Sequence, residues 1–186
     1  MTAAPTVGQT VGPFFGYALP YPGDAELVPP GRAGTVCLTG RVLDGAGDPV
    51  PDALIEIWQP DEHGTIVQRF GSVRRDGWTF TGFGRCGTDN AGRYSFTTVP
   101  PGPTAPGRAP FFAVTVFARG LLDRLFTRAY LPGPDELLAA DPLLASVPSA
   151  RRSTLVARRD GDLLIFDVRL QGADETVFLE FGSGPG

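Results

Sequence analysis

The side chains able to do chemistry in this 186-residue chain are few. His63 is the single imidazole, Cys37 and Cys86 are the two thiols, and all 16 basic residues are arginine. A chain without lysine forms no lysine Schiff base and presents no P-loop lysine. A Cys/His zinc site takes three or four ligands, whereas the three such residues stand apart, with neither CxxC nor HxxxH spacing. An iron site of two histidines and a carboxylate lacks its second histidine, and only carboxylate binding of magnesium or calcium stays open. Redox or metal chemistry involving this chain must therefore draw most of its ligands from another chain. His63 falls in the polar turn Asp61-Glu62-His63-Gly64, where no catalytic reason is needed for it. Cys86, in Gly84-Arg85-Cys86-Gly87, has an arginine that could lower a thiol pKa but no histidine base, and it reads as a structural thiol. No GxSxG is present to build a serine nucleophile.

Arg119 is the stronger candidate. It ends the most apolar stretch of the chain as Phe117-Ala118-Arg119-Gly120, where a guanidinium would offer a two-pronged fork to a carboxylate. Arg128, in Thr127-Arg128-Ala129-Tyr130, raises the same question in a weaker setting, and which of the two is the stronger substrate contact stays open.

The elements that must hold these residues are short strands. Hydrophobic residues make up 42% of the chain and charged ones 19%, with a formal charge of −4, which fits a globular domain with its own core and excludes a basic nucleic-acid binder. The 25 glycines and 19 prolines show no Gly-X-Y period and sit among 13 phenylalanines, the mark of a turn-rich β protein. Strands are expected at 35–43, 53–58, 92–99, 111–117, 127–131, 154–158, 163–170 and 176–181, with a hairpin through 44–53 and a turn at Asp160-Gly161. A short helix is expected over 134–140, ahead of Pro142. Residues 71–88 and 100–109 read as long loops, where sites and interfaces tend to lie. Residues 1–34, rich in proline, form an extended arm, and 35–186 form the β-sandwich domain. The arm carries Phe14, Phe15, Tyr17 and Tyr21, which implies docking on its own domain or on a partner. The N-terminus lacks a basic n-region and an apolar h-region, two cysteines without framework spacing fit a reducing compartment, and no stretch is long enough to span a membrane; a cytoplasmic location is expected.

Longer motifs carry a resemblance. Gln9-Thr10-Val11-Gly12-Pro13-Phe14, Gly40-Arg41-Val42-Leu43-Asp44 through Pro49-Val50-Pro51-Asp52-Ala53, and Glu56-Ile57-Trp58-Gln59-Pro60-Asp61 are similar to the intradiol ring-cleavage dioxygenases. Phe117 to Gly120, Asp141-Pro142-Leu143-Leu144, Arg151 to Leu155, Phe166 to Gly172 and Glu175 to Phe178 resemble the iron-free α type of subunit in that family, over residues 8 to 181. The resemblance implies an all-β sandwich of about eight strands, similar to prealbumin, with one or two short helices. It implies a hetero-oligomer in which a β-type partner holds non-haem Fe(III) on two tyrosines and two histidines, while this chain binds no cofactor and no metal. At the corresponding positions stand Ile66, Thr104, Phe111 and Ala113, none of them such a ligand. It further implies that Thr10, Gly12, Pro13 and Arg119 help bind a dihydroxybenzoate at the mouth of the partner's pocket, that this chain supplies no catalytic residue, and that neither nucleic acid nor membrane is a partner. The competing expectation is a stand-alone β-sandwich binding module, because Gly-x-Val-x-Asp followed by Pro-Val-Pro-Asp-Ala also occurs in such modules. Stoichiometry and the range of catechols accepted stay open.

Overall fold

Where apolar and polar residues alternate with period two, the chain forms strands that bury one face. The computed structural model describes residues 10, 12, 15–29, 31–69 and 75–181. β1 (Val36–Leu43) turns Val36, Leu38 and Val42 inward. β4 (Arg93–Thr98) does the same with Tyr94, Phe96 and Thr98, and β5 (Phe111–Phe117) with Phe112, Val114 and Val116. Among the described residues, nine strands form two sheets. The first runs β4-β1-β8-β7, with β8 at Leu163–Ile165 and β7 at Arg158–Asp160, and β9 (Val168–Arg169) also pairs with β1. The second runs β3-β2-β5-β6, with β3 at Phe83–Gly87, β2 at Leu54–Trp58 and β6 at Leu125–Tyr130. Their inner faces share one core that includes Leu38, Phe96, Ile55, Ile57, Phe112 and Leu164, and burying each such side chain contributes about 1.5 to 3 kcal/mol.

One close approach demands glycine. A Cβ at Gly40 would lie 1.9 Å from the Phe166 carbonyl oxygen, which also accepts the Tyr94 hydroxyl at 2.5 Å. The chain therefore crosses β1 at backbone distance where the strands β8 and β9 part company.

The arm is bonded into the sandwich. Leu27 donates its amide to Thr97 O at 2.8 Å, Thr97 donates to Ala25 O at 2.9 Å, and Arg85 donates to Asp24 O at 2.9 Å. Residues 24–27 thus pair with β4 of one sheet and touch β3 of the other, covering two exposed edges. Leu27 and Val28 are each 3% exposed, so this part of the arm docks on its own domain. Ahead of it, Phe15–Ala18 form a single helical turn, α1.

Several expectations are corrected. Residues 44–53 make no simple hairpin, because β1 and β2 belong to different sheets and the Pro49 to Asp52 turn carries the chain across the sandwich. The expected loop 71–88 contains β3, whose sequence Phe-Gly-Arg-Cys-Gly has weak strand propensity and becomes a strand only through its ladder to β2. The expected strand 154–158 is broken up: residues 154 and 155 end a 3₁₀ helix, Ser149–Leu155, which Pro148 starts and which buries Leu155 against Tyr130 and Leu144, while Val156 makes a single bridge to Tyr130 and Arg158 opens β7. Residues 176–181 bond in turn to β9, the 3₁₀ helix and β6, so no run of them pairs along one strand beyond the bridge Leu179 to Phe126. Besides the expected helix α2 (Asp135–Ala140) there is α3 (Pro142–Ser146): Pro142 ends one helix and starts the next.

Candidate functional site

Arg119 lies just past the end of β5 and Asp52 just before β2. The antiparallel register of β2 and β5 begins at Leu54 opposite Phe117, and carried two residues outward it sets Asp52 opposite Arg119. Their side chains form an ion pair between Arg119 Nε and Asp52 Oδ2. Ala118 anchors the turn from within the core at 1% exposure, and Gly120, at φ +87°, supplies the left-handed conformation that turns the chain away from the strand. Its amide donates to the Thr10 hydroxyl oxygen at 3.3 Å. The structure thus brings Thr10 of the arm to the Arg119 turn. Gly12 also takes a left-handed backbone, at φ +75°. Pro13 and Phe14 lie outside the described residues.

Arg128 is placed elsewhere and otherwise engaged. It pairs with Ala113 across β5 and β6, about 20 Å along the strand from Arg119 at ~3.3 Å per residue. Its guanidinium lies 3.9 Å from the centroid of the Phe111 ring and donates to the Tyr130 hydroxyl at 3.0 Å. Tyr130, fully buried, donates to Asp141 Oδ1 at 2.9 Å. Burial pushes the Tyr130 phenol up to about 12, with Arg128 opposing the rise and Asp141 reinforcing it.

The four positions at which the resemblance would place metal ligands hold groups that do not fit a metal. Phe111 and Ala113 share the outward face of β5, and the Arg128 cation occupies the ring face of Phe111. Ile66 is 65% exposed and lines an open groove of about 1080 Å³ with His63, Trp78 and the Arg32–Glu62 pair. Thr104 is exposed in the turn after β4. Among the described residues, no three His, Cys, Asp or Glu side chains converge into a set that could hold a metal. His63 is exposed, and Asp61 Oδ1 accepts its backbone amide at 2.9 Å. Burial raises the Cys86 thiol, which opposes a reactive thiolate; both cysteines are free.

Asp52 is the partner of Arg119 that sequence reading misses. It stands in the quoted Pro51-Asp52-Ala53 motif, but only the β2–β5 register aims it at Arg119. The Tyr130–Asp141 bond is missed for a similar reason, since it joins a strand to a helix cap.

The two-sheet sandwich and these motifs place the chain among ring-cleaving dioxygenases: it belongs to the intradiol ring-cleavage dioxygenase family. The dioxygenase family profile matches residues 24–172. The chain is 41% identical to the protocatechuate 3,4-dioxygenase alpha chain of Burkholderia cepacia, over 96% of this chain and 98% of that one. It is 37% identical to the beta chain from the same organism, over 76% of this chain and 66% of that one. In structure it is similar to the dioxygenase domain of a dioxygenase and carbohydrate-binding protein fusion from Streptomyces sp. SirexAA-E. That match has a TM-score of 0.56 and 26% identity, over 91% of this chain and all of that one. Among the described residues, no helix is long and apolar enough to cross a membrane.

Proposed function

We propose that this chain is the iron-free α-type subunit of a protocatechuate 3,4-dioxygenase. With a β-type partner that holds non-haem Fe(III), it forms αβ units. These cleave the ring of 3,4-dihydroxybenzoate between its hydroxyls with O2, giving 3-carboxy-cis,cis-muconate in the cytoplasm. The observation that carries this reading is the likeness to an alpha chain over nearly the whole length of both proteins. The same breadth speaks against a stand-alone binding module, which would account for only part of the chain.

The part this chain plays is to bind and orient. Arg119 is 58% exposed in its side chain and lies at the Leu54 end of β2, whereas the chain's own groove opens beyond the Trp58 end. A fork so placed serves a neighbouring subunit better than its own domain. It neutralises the carboxylate of the aromatic acid and fixes the angle at which the ring enters the partner's pocket. Thr10, Gly12 and Pro13 shape the wall beside it through backbone and small side chains. No step of the ring cleavage passes through a residue of this chain.

Co-expression with a β-type chain bearing the two tyrosines and two histidines tests the proposal. A stable hetero-oligomer that cleaves protocatechuate is the expected result. Failure to co-purify, or a partner that cleaves protocatechuate with unchanged kcat and KM when this chain is absent, overturns it.

A further inference from the structure

Asp52 is the charged neighbour of Arg119, and the two differ in how firmly they are held. The Asp52 side chain is 27% exposed against 58% for Arg119. It sits on a turn pinned by Thr88, whose hydroxyl donates to Val50 O at 2.8 Å and accepts the Ala53 amide at 2.9 Å. Arg119, by contrast, is a long side chain with many rotamers on an exposed turn. A carboxylate at Nε removes much of that freedom and leaves the Nη1 and Nη2 prongs for a second carboxylate. Among the described residues, Asp52 is the only ion-pair partner of Arg119.

We propose that Asp52 is the positioning residue for carboxylate recognition: it holds Arg119 by Nε so that the outer fork meets the carboxylate of the aromatic acid. This deepens the proposed function and rests on it. Asp52 touches no substrate atom and moves no proton; it acts only through Arg119. Its charge also tempers that of the arginine, so the turn presents a directed pair of donors and not a bare cation open to any anion.

The test uses the assembled αβ enzyme, with protocatechuate and with catechol, which lacks the carboxylate. Steady-state kinetics are paired with equilibrium binding of each compound in the absence of O2. Exposed ion pairs contribute little, so Asp52→Ala is expected to raise KM and the dissociation constant for protocatechuate about three- to fivefold. The kcat should change by less than about twofold, and catechol binding should not move, because the contact is equal in ground and transition states. Asp52→Asn, isosteric but uncharged, keeps the shape of the contact without its charge and should recover only part of the affinity. In an Arg119→Ala background, Asp52→Ala should add nothing.

An Arg119→Ala enzyme that loses protocatechuate selectively, beside an Asp52→Ala enzyme that does not, overturns the positioning role and leaves the proposed function standing. An Arg119→Ala enzyme with no loss for either compound overturns both. Equal losses for both compounds in Asp52→Ala, or failed assembly of Asp52→Ala and Asp52→Ser alike, make the residue structural and overturn the proposal.

Discussion

Tyr130 and Asp141 bind each other across two elements. The phenol at the end of β6 donates to Asp141 Oδ1 at 2.9 Å, and the same oxygen accepts the amides of Leu143 and Leu144 at the start of α3, at 3.0 and 3.3 Å. Asp141 is 2% exposed and Tyr130 fully buried, so one carboxylate oxygen caps a helix and satisfies a buried hydroxyl at once. This contact ties the helical segment to the edge of the second sheet.

Asp141→Ala is accordingly expected to cost more than an ordinary cap. Loss of the cap costs about 1 kcal/mol and a buried hydroxyl left without its acceptor about 1 to 3, together about 2 to 4 kcal/mol. Asp141→Asn keeps an acceptor and should recover part of it. Urea unfolding of the two variants checks this, and a loss below about 0.5 kcal/mol in the alanine variant would contradict the double role.

Stability should fall on the alkaline side. Burial raises Tyr130 to about 12 and raises Tyr94 as well, so both folded phenols lie above the unfolded value near 10. Below about pH 10 both states keep these protons and the stabilisation is fully present; above it the unfolded chain releases protons that the folded chain retains. Stability is then lost as pH rises toward the folded values, at about 1.4 kcal/mol per pH unit for each tyrosine. The half-buried thiol of Cys86, raised by burial, adds in the same direction. Tyr130→Phe should make the decline shallower, which unfolding curves at pH 9, 10 and 11 measure.

Arg75 should control whether the arm stays docked. Its guanidinium donates to the carbonyls of Gly23, Asp24 and Phe83 and to the Thr81 hydroxyl, at 2.5 to 3.2 Å. Arg75→Ala is expected to destabilise by about 2 to 4 kcal/mol and to expose residues 19–29 to limited proteolysis, because charge-assisted bonds are worth about 1.5 to 3 kcal/mol and several are lost together. Arg75→Lys should rescue poorly, since a compact ammonium cannot reproduce the planar fork. An unchanged cleavage pattern in Arg75→Ala would show that the strand-edge bonds of residues 24–27 suffice.

The chain purified alone is expected to bind no stoichiometric iron and to cleave no protocatechuate. Ile66, Phe111 and Ala113 offer no ligand atom, Thr104 only a weak hydroxyl, and Arg128 keeps a fixed positive charge over Phe111. Metal analysis finding about one tightly held iron per chain would contradict this.

What the sequence determined by itself were the local terms. Alternation in Val36–Leu43 and Arg93–Thr98 identifies strands because the side-chain period is a property of the backbone, whatever it packs against. The Asp160-Gly161 turn and the helix over 135–140 are legible for the same reason, as are the side-chain types at Ile66, Thr104, Phe111 and Ala113. Arg119 could be singled out from the apolar run it ends.

Tertiary structure decided everything that depends on which strands meet. β3 is a strand because β2 lies beside it, residues 154–155 are helical because Leu155 has a core to enter, and 44–53 crosses between sheets although its turn residues would suit a hairpin. For Arg128 the sequence leaves open whether it offers a free fork; the β5–β6 pairing places Phe111 beneath it and Tyr130 beside it. Asp52 and Arg119 stand 67 positions apart in sequence, and nothing local to either predicts the other. The partnership follows from the antiparallel register of β2 and β5, which is set by shared burial of their inward faces and is not written in the residues around either charge.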